Sequence, residues 1–341
     1  MRYITIKDIA HSLNVSVATV SKAFNDRYDI RKETKEMILQ KAKELGYKPN
    51  PIAKKLLQKH SFNIGVIVPE FIHSFFPEVI IGVQEVFYEK GYQVIIMQSN
   101  ENAELELANI ISLENNMVEG LLISLSKETM NIDYLEHLIK DKFPVVLFNR
   151  VNSGLSSPKV LFNDYKWSLF ATEHLIEQGY QKIVHLTGHT HLTLVKERIR
   201  GFKRAMEKYR CPCEDRQIIE TSFSIEGGER AMEALIQQDN IPDAVFATND
   251  LIAIGAMRVS KKHGLKIPKD IGFVGFSNSK MAEVVEPSLT SVDQPTYEMG
   301  RTAAMLLLEE LTSTGNINPK TIILDGKLVV RESSLNKKKN S

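Results

Sequence analysis

The chain has 341 residues, of which 43% are hydrophobic and 25% charged, and this composition is typical of a globular protein with two or three domains. No stretch approaches the ~20 consecutive apolar residues of a membrane span, and Lys7 and Asp8 lie where a signal peptide needs its apolar core. These features argue against a membrane or exported protein and predict a cytoplasmic one.

The net charge of +1 conceals an asymmetry along the chain. Residues 1–60 carry 13 Lys or Arg against 6 Asp or Glu, whereas the remainder carries 30 against 36. A basic segment attached to an acidic body is typical of a module that binds a polyanion such as DNA.

The basic segment is predicted to form three short helices, at residues 6–13, 17–24 and 32–45. Thr5 and Asp8 form a variant of the capping box before the first helix. Ser16 follows a tight turn and can cap the second. The third helix has Met37 and Ile38 among its predicted inward residues.

Two short helices that are joined by a tight turn and braced by a third form a helix-turn-helix, whose second helix enters the major groove. Val17 and Ala18 are small enough for close approach and contact with a thymine methyl, and Lys22 can reach guanine. The residues that suit phosphate contacts are Ser16, Thr19, Ser21 and Asn25. A three-helix bundle without a ligand is the alternative, which the basic charge disfavours.

A short helix is predicted after this head. Asn50 is a good N-cap and Pro51 suits a first helical position, so we expect a helix over about Pro51–Gln58. It is shorter than the ~12–15 residues that an isolated helix needs in water, so it should fold only when something holds it. Leu56 offers an apolar wedge for a base step in the minor groove. A plain linker turn is the alternative.

From residue 62 onward, short β-rich runs alternate with longer amphipathic segments, a pattern that predicts parallel sheets with right-handed crossovers. The predicted strands are 64–68, 93–97, 120–124, 145–148, 182–187, 244–248 and 271–275. The predicted helices include 77–90, 104–116, 169–178, 198–208 and 252–263. Two such series without a Gly/Ser-rich linker predict two lobes, with a ligand cleft beyond the carboxyl ends of the strands.

The residues at those strand ends combine amides, guanidinium groups, a carboxylate and aromatic rings, which suit a polyhydroxylated ligand such as a sugar. They are Phe75, Phe76, Asn149, Arg150, Arg198, Asn249, Asp250 and Ser277. Asp250 begins a predicted helix, so it is as good a candidate for a helix cap as for a ligand contact.

Several motifs are jointly specific: Thr5-Ile-Lys-Asp-Ile-Ala10, Asn14-Val-Ser16, Thr19-Val-Ser21, Pro49-Asn-Pro-Ile-Ala53, Arg198-Ile-Arg-Gly-Phe202 and Leu328-Val-Val-Arg-Glu-Ser333. Together they resemble the LacI/GalR family of repressors over nearly the whole chain. The resemblance implies a homodimer on a pseudo-palindromic double-stranded DNA operator. It also implies hinge helices in the minor groove and a small-molecule effector that changes operator affinity.

The resemblance also assigns residues to roles. Val17, Ala18 and Lys22 occupy base-reading positions, and Leu56 that of the intercalating leucine. The implied effector-pocket positions are Phe75, Phe76, Asn149, Arg198, Phe223, Asn249, Asp250 and Ser277.

The chain departs from the family pattern in its predicted pocket. Asn149 and Ser277 stand where many members have acids, and Leu192 and Leu194 replace polar contacts of the purine-responding member. A purine effector is therefore disfavoured, and a sugar or sugar derivative is expected.

These features predict an α/β protein with a helix-turn-helix head of three helices, a hinge helix and a two-lobed body. The body is expected to resemble a periplasmic binding protein, with two parallel, doubly wound sheets. The expected domain limits are 1–48 for the head, 49–61 for the hinge, 62–335 for the body and 336–341 for a disordered tail.

Two other classes of protein compete with a regulator. An enzyme is disfavoured because no dinucleotide or P-loop motif occurs and Gly275–Ser279 lacks the second glycine of a nucleophile elbow. His185, His189 and His191 lack a carboxylate to complete a metal shell, so neither a metal nor a cofactor is expected. A transporter's solute-binding protein would share the body but would need an export signal.

Overall fold

The computed structural model describes residues 4–24, 30–47, 60–72, 74–313 and 318–336. The chain divides into two compact units, Met1–Ser61 and Phe62–Ser341. The predicted phosphate contact at Asn25, the wedge at Leu56 and the helix at Pro51–Gln58 lie outside the described residues, as do residues 337–341 of the tail.

The first unit contains α1 (Ile6–Leu13), α2 (Val17–Phe24) and α3 (Lys32–Glu44). The Asp8 carboxylate accepts hydrogen bonds from the backbone N–H and the hydroxyl of Thr5, at 2.8 and 2.7 Å, and this capping box begins α1. The buried residues of its core are Ile9, Ala10, Val20, Ala23, Ile38 and Ala42.

The prediction that Met37 faces this core is wrong, because its side chain is 44% exposed while Ile38 is fully buried. Successive residues of an α-helix point about 100° apart. Only one of these two neighbours can therefore point directly into so small a core.

The second unit contains two sheets. The first consists of β1 (Asn63–Val68), β2 (Gln93–Gln98), β3 (Gly120–Ile123), β4 (Val145–Phe148), β5 (Lys159–Phe162) and β11 (Thr321–Leu324), all parallel, in the order β11-β5-β4-β3-β1-β2. The second consists of β6 (Ile183–Thr187), β7 (Ile218–Glu220), β8 (Ala244–Ala247), β9 (Gly272–Phe276), β10 (Thr290–Asp293) and β12 (Lys327–Val329), in the order β12-β10-β9-β8-β6-β7. The second sheet is parallel except at its edge, where β12 runs antiparallel to β10.

Helices cover both sheets. They are α4 (Phe75–Glu89), α5 (Ala103–Asn115), α6 (Asp133–Lys140), α7 (Asp164–Glu177), α8 (Thr193–Lys208), α9 (Ile225–Gln237), α10 (Asp250–Lys262), α11 (Lys280–Val284) and α12 (Thr296–Thr312). The helices α6, α9, α11 and α12 are not among the predicted segments named above, and α7 and α8 begin five residues before their predicted starts. Within the described ranges, no helix is both long and apolar enough to cross a membrane.

The chain passes between the two sheets three times. It leaves the first sheet after β5, returns to it through α12 and β11, and leaves it again for β12. Because α12 packs against α4 and the first sheet, while α7 packs against α8 and the second, each lobe is a sheet with its own helices. We call them the first lobe, which contains α4, α5, α6 and α12, and the second lobe, which contains α7 to α11.

Candidate functional site

The second helix of the first unit is held by a local cap. The Ser16 hydroxyl accepts a hydrogen bond from the Thr19 N–H at 3.0 Å and lies 2.7 Å from the Thr19 hydroxyl. Asn14 ends α1 in the left-handed region at φ 53°, a conformation that asparagine tolerates better than most residues. The tight turn predicted between α1 and α2 is therefore present.

One edge of α2 is exposed. Val17 is 39% exposed, and Ala18 and Lys22 are exposed as well, whereas Val20 and Ala23 are buried against the other two helices. Of the predicted phosphate-contacting residues in the described part of the head, Ser16 is exposed, and Thr19 and Ser21 are half-buried. The three residues predicted to read bases therefore share the outer edge of one short helix.

In the second unit, one cavity of about 220 Å³ is lined by all nine residues predicted for the effector pocket. They are Phe75, Phe76, Asn149, Arg150, Arg198, Phe223, Asn249, Asp250 and Ser277. The first four belong to the first lobe and the other five to the second. We call this cavity the central pocket.

Arg198 is the most firmly held polar residue of the central pocket. Its Nε and Nη2 lie 2.8 and 2.7 Å from Asp164 Oδ1, its Nη1 donates to the Thr248 carbonyl at 2.5 Å, and its guanidinium carbon lies 3.7 Å from the centre of the Phe276 ring. Burial raises the pKa of the Asp164 carboxyl, and the positive charge of Arg198 opposes that shift. Among the described contacts, two of the five guanidinium N–H groups remain for a ligand.

The sequence left open whether Asp250 caps a helix or contacts the ligand. In the structure the neighbouring Asn249 is the helix cap. Asn249 Oδ1 accepts from the Ile252 N–H at 2.8 Å and is the N-cap of α10. The Asp250 carboxylate instead accepts from the Ser291 hydroxyl at 2.5 Å and the Ser279 N–H at 2.6 Å. Burial raises its pKa to about 6, against the lowering effect of these hydrogen bonds. Asp250 therefore ties strand β10 and the turn before α11 to the start of α10, at the wall of the pocket.

Arg150 connects the lobes. Its Nη1 lies 2.7 Å from both carboxylate oxygens of Glu101 in the first lobe. Its guanidinium carbon also lies 5.2 Å from the ring centre of Phe223, which belongs to the second lobe. A cation over an aromatic face is attracted to it, so this contact favours the arrangement of the lobes seen here.

Two pocket residues have left-handed backbone conformations at the ends of strands. Asn149 follows β4 with φ 57°, and Ser277 follows β9 with φ 101°. Asparagine is among the residues that adopt this region at least cost, whereas serine at φ 101° is strained. Both positions turn the chain sharply into the pocket from the carboxyl end of a parallel strand.

Sequence reasoning missed two buried residues of the central pocket. Thr248 and Gln294 line it, and the Thr248 Oγ1 and Gln294 Nε2 atoms have no hydrogen-bond partner among the described residues. The Gln294 Oε1 accepts from the Ser277 hydroxyl at 3.1 Å. Buried polar atoms are nearly always bonded, so these two atoms are candidates for contacts with a polar ligand or with water. The signal in the sequence was the Gln294-Pro295 pair directly after a short polar strand.

Of the three histidines near the end of β6, His189 and His191 have ring centres 6.0 Å apart, and His189 Nδ1 lies 3.4 Å from Glu220 Oε1. The prediction that no carboxylate lies beside these histidines is therefore wrong. His185 is fully buried, stacks on Phe246 with ring centres 4.5 Å apart and has its Nδ1 3.0 Å from the Phe246 carbonyl oxygen. Burial lowers its pKa to about 4. His191 is exposed, and its Nε2 lies 2.5 Å from the Lys127 carbonyl of the first lobe. His185 is therefore a neutral core residue and does not join the other two in a site.

Two family models match the chain. Residues 5–50 match the model described as bacterial regulatory proteins, lacI family. Residues 172–334 match the model described as periplasmic binding protein-like domain. The first match covers the three-helix unit, and the second covers most of the second lobe and the return of the chain through α12 and β11.

Known proteins are similar over the whole length. The chain is 33% identical to the ribose operon repressor of Halalkalibacterium halodurans, over 97% of each chain. Among solved structures, the transcriptional regulator CelR in complex with cellobiose has a TM-score of 0.74 at 28% identity and covers 97% of this chain and 99% of its own. The lac repressor dimer bound to operator and the anti-inducer ONPF has a TM-score of 0.82 at 23% identity, over 98% of this chain and 100% of its own, and thus shares its fold.

Proposed function

The chain belongs to the LacI family of bacterial regulatory proteins, and on this premise we propose that it is a transcriptional repressor whose affinity for its operator is controlled by a sugar or sugar derivative. The observation that carries the proposal is that a helix-turn-helix with an exposed α2 edge shares one chain with a cavity whose lining includes all nine polar and aromatic residues predicted for the effector. Members of this family are regulators rather than enzymes. A protein that acts on bacterial DNA works in the cytoplasm, where we place this one.

The DNA-binding roles follow the exposure of α2. Val17, Ala18 and Lys22 read base edges in the major groove, because they are the exposed residues of that helix. The phosphate contacts, which set position rather than sequence, come from Ser16, Thr19, Ser21 and Asn25. We further propose that a hinge helix within residues 49–61 inserts Leu56 into the minor groove, between a head at 1–48 and a body at 62–335.

A sugar fits the chemistry of the central pocket. Two N–H groups of Arg198, the Gln294 amide and the Thr248 hydroxyl offer donors and acceptors to hydroxyl groups. Phe75 and Phe76 offer apolar ring surface. The volume of about 220 Å³ lies below the ~300–1,000 Å³ of pockets for drug-sized ligands and favours a ligand of about monosaccharide size. Relatives point the same way, since one is a ribose operon repressor and another was solved with cellobiose.

The effector would act by changing the angle between the lobes. Because the central pocket takes residues from both lobes, a ligand that bonds to both favours one angle over others. We propose that two chains pair through their bodies on a pseudo-palindromic operator, so that this angle sets the separation of the two hinge segments. Two sites coupled through a bistable arrangement are what allostery requires.

The DNA-binding part is tested by selecting binding sites for the full-length protein from random double-stranded DNA. We expect a near-palindromic sequence to be enriched, because two identical heads would read two half-sites. Recovery of DNA without any sequence preference would contradict the proposal.

The effector part is tested by a thermal-shift screen against monosaccharides and disaccharides, since a ligand of the native state raises its stability. Thr248→Val should reduce the shift produced by the active sugar without lowering the stability of the unliganded protein, because the hydroxyl that it removes has no partner among the described residues. Thr312→Val, at an exposed position of α12, is the control. An unchanged shift in Thr248→Val would remove this residue from the effector site.

A further inference from the structure

A second cavity lies beside the central pocket. Its volume is about 350 Å³, and it shares Arg150 and Leu194 with the central pocket. Its other lining residues come from both lobes, and they include Lys127 of the first lobe and His191, Thr193 and Lys196 of the second. We call it the side cavity.

The ionisable groups that line the side cavity are basic. Lys127 and Arg150 come from the first lobe, and His191 and Lys196 from the second, and this lining contains no carboxylate. Among the described residues, neither Lys127 nor Lys196 is within ion-pair distance of an acid. The hydrogen bond between His191 Nε2 and the Lys127 carbonyl joins the two loops that carry these residues.

Helix α8 adds to the positive potential of the side cavity. It begins at Thr193 within the lining, and no side chain caps its first turn. The first N–H groups of a helix have no partner within the helix and favour an anion. They act here together with ammonium groups that approach from both lobes.

Two carboxylates lie behind the lining, and both are occupied by other donors. Glu101 binds Arg150 Nη1 and accepts from the Lys127 N–H at 2.9 Å. Glu106 accepts from the Ser126 N–H at 2.7 Å and the Thr129 hydroxyl at 2.6 Å, and burial raises its pKa. These acids therefore hold the backbone and Arg150 in place and leave the ammonium groups of the lysines to the cavity.

We propose that the side cavity binds a phosphoryl group, which Lys127 and Lys196 hold from opposite lobes. The group is either inorganic phosphate or the phosphate of a phosphorylated sugar whose sugar ring occupies the central pocket through the shared Arg150. The second case rests on the proposed function. In both cases the anion pulls the lobes together and so biases the same angle as the effector.

The test is calorimetric titration of the full-length protein at low salt with inorganic phosphate, ribose 5-phosphate and glucose 6-phosphate, each compared with ribose and glucose. We expect Lys127→Gln and Lys196→Gln each to weaken phosphate or sugar phosphate binding by about tenfold or more, since each removes a charged contact. Lys203→Gln is the matched control, because this lysine also lies on α8 but pairs with Asp215 at 3.0 Å. Lys127→Arg, which keeps the charge, should retain binding.

The results distinguish the two sources of phosphate. If inorganic phosphate binds, and ribose or glucose binds as well, the ligand of the side cavity is the free anion. If a sugar phosphate binds more tightly than its parent sugar, and this difference in affinity disappears in Lys127→Gln and in Lys196→Gln, the ligand is the phosphate ester. The proposal is overturned if none of the phosphates binds, or if all three glutamine variants behave alike. The proposed function is judged separately, because operator binding and the response to unphosphorylated sugars do not depend on Lys127 or Lys196.

Discussion

Asp250 is a carboxylate that the fold has removed from water, being 2% exposed. Burial of a carboxylate disfavours its charged form and raises its pKa, whereas hydrogen bonds donated to the carboxylate lower the pKa. Here the Ser291 hydroxyl and the Ser279 N–H offset only part of the cost, since the pKa remains raised to about 6. The residue therefore makes the stability of the second lobe depend on pH.

The sign of this dependence follows from the raised pKa. Between about pH 4 and 6, Asp250 is protonated in the folded protein but ionised in the unfolded chain, so its contribution to the free energy of unfolding falls as pH rises through that window. We expect the stability of the wild type relative to Asp250→Asn to fall by about 3 kcal/mol from pH 4 to 7. Urea unfolding at several pH values measures this difference, and a difference that stays constant with pH would contradict it.

Lys22 is the charged residue that we assign to base reading. We expect Lys22→Ala to weaken binding to the selected operator by about 1–3 kcal/mol and to relax preference at one base position. Lys41→Ala, on α3, controls for the loss of one positive charge in the same unit. Titration against the operator and an unrelated duplex measures both. An equal loss on both duplexes would make Lys22 a phosphate contact.

Helix pairs of the second unit meet at glycines. An ideal Cβ on Gly300 of α12 would lie 1.9 Å from the Val79 carbonyl of α4, and one on Gly82 of α4 would lie 2.2 Å from the Tyr297 carbonyl of α12. The α9–α10 pair has the same reciprocal arrangement at Gly228 and Gly255. The backbones of these helices therefore approach more closely than any side chain would allow.

This close approach decides the effect of alanine at Gly300. Helix propensity favours alanine over glycine by about 1 kcal/mol, but the added methyl group would force α4 and α12 apart. Overpacking of this kind costs about 1–3 kcal/mol or more, and we expect Gly300→Ala to lower stability. Thr312→Ala, at the exposed end of the same helix, should change it by less than about 0.5 kcal/mol. Urea unfolding compares the two, and a stabilised Gly300→Ala would refute the close packing.

At the scale of the whole molecule, the chain consists of two compact units, Met1–Ser61 and Phe62–Ser341. The residues proposed for the effector belong to the second unit, and the α2 residues proposed for DNA belong to the first. Each proposed binding event therefore takes place within its own unit, and only their coupling needs the whole chain.

Removal of residues 1–61 tests this division. We expect the fragment 62–341 to keep the thermal shift produced by the active sugar, because the proposed sugar contacts remain, and to lose binding to operator DNA. Thermal-shift and DNA-binding assays beside the full-length protein measure both. Loss of the sugar response in the fragment would show that the proposed domain division is wrong.

Features that depend on nearby residues could be predicted from the sequence. The three helices of the head follow from caps and a 3.6-residue period, and Ser16 caps α2 through a residue only three positions away. The predicted strands β1, β3, β4, β6, β8 and β9 are buried at every residue, and a strand covered on both faces reads as a continuous apolar run. The alternation of strand and helix then predicted two lobes with a pocket at the strand ends.

The tertiary structure decided what depends on distant residues. The strands β7, β11 and β12 at sheet edges, and β5 next to an edge, are only partly buried, and β10 is short and polar, so none of them has a clear apolar pattern. The sequence likewise did not predict the unpartnered atoms of Thr248 and Gln294 or the basic lining of the side cavity. Hydrophobic periodicity indicates which residues of an element face a core, because the spacing of apolar residues can be read within that one element. Which polar groups meet across a cleft depends on how lobes far apart in sequence fold around it.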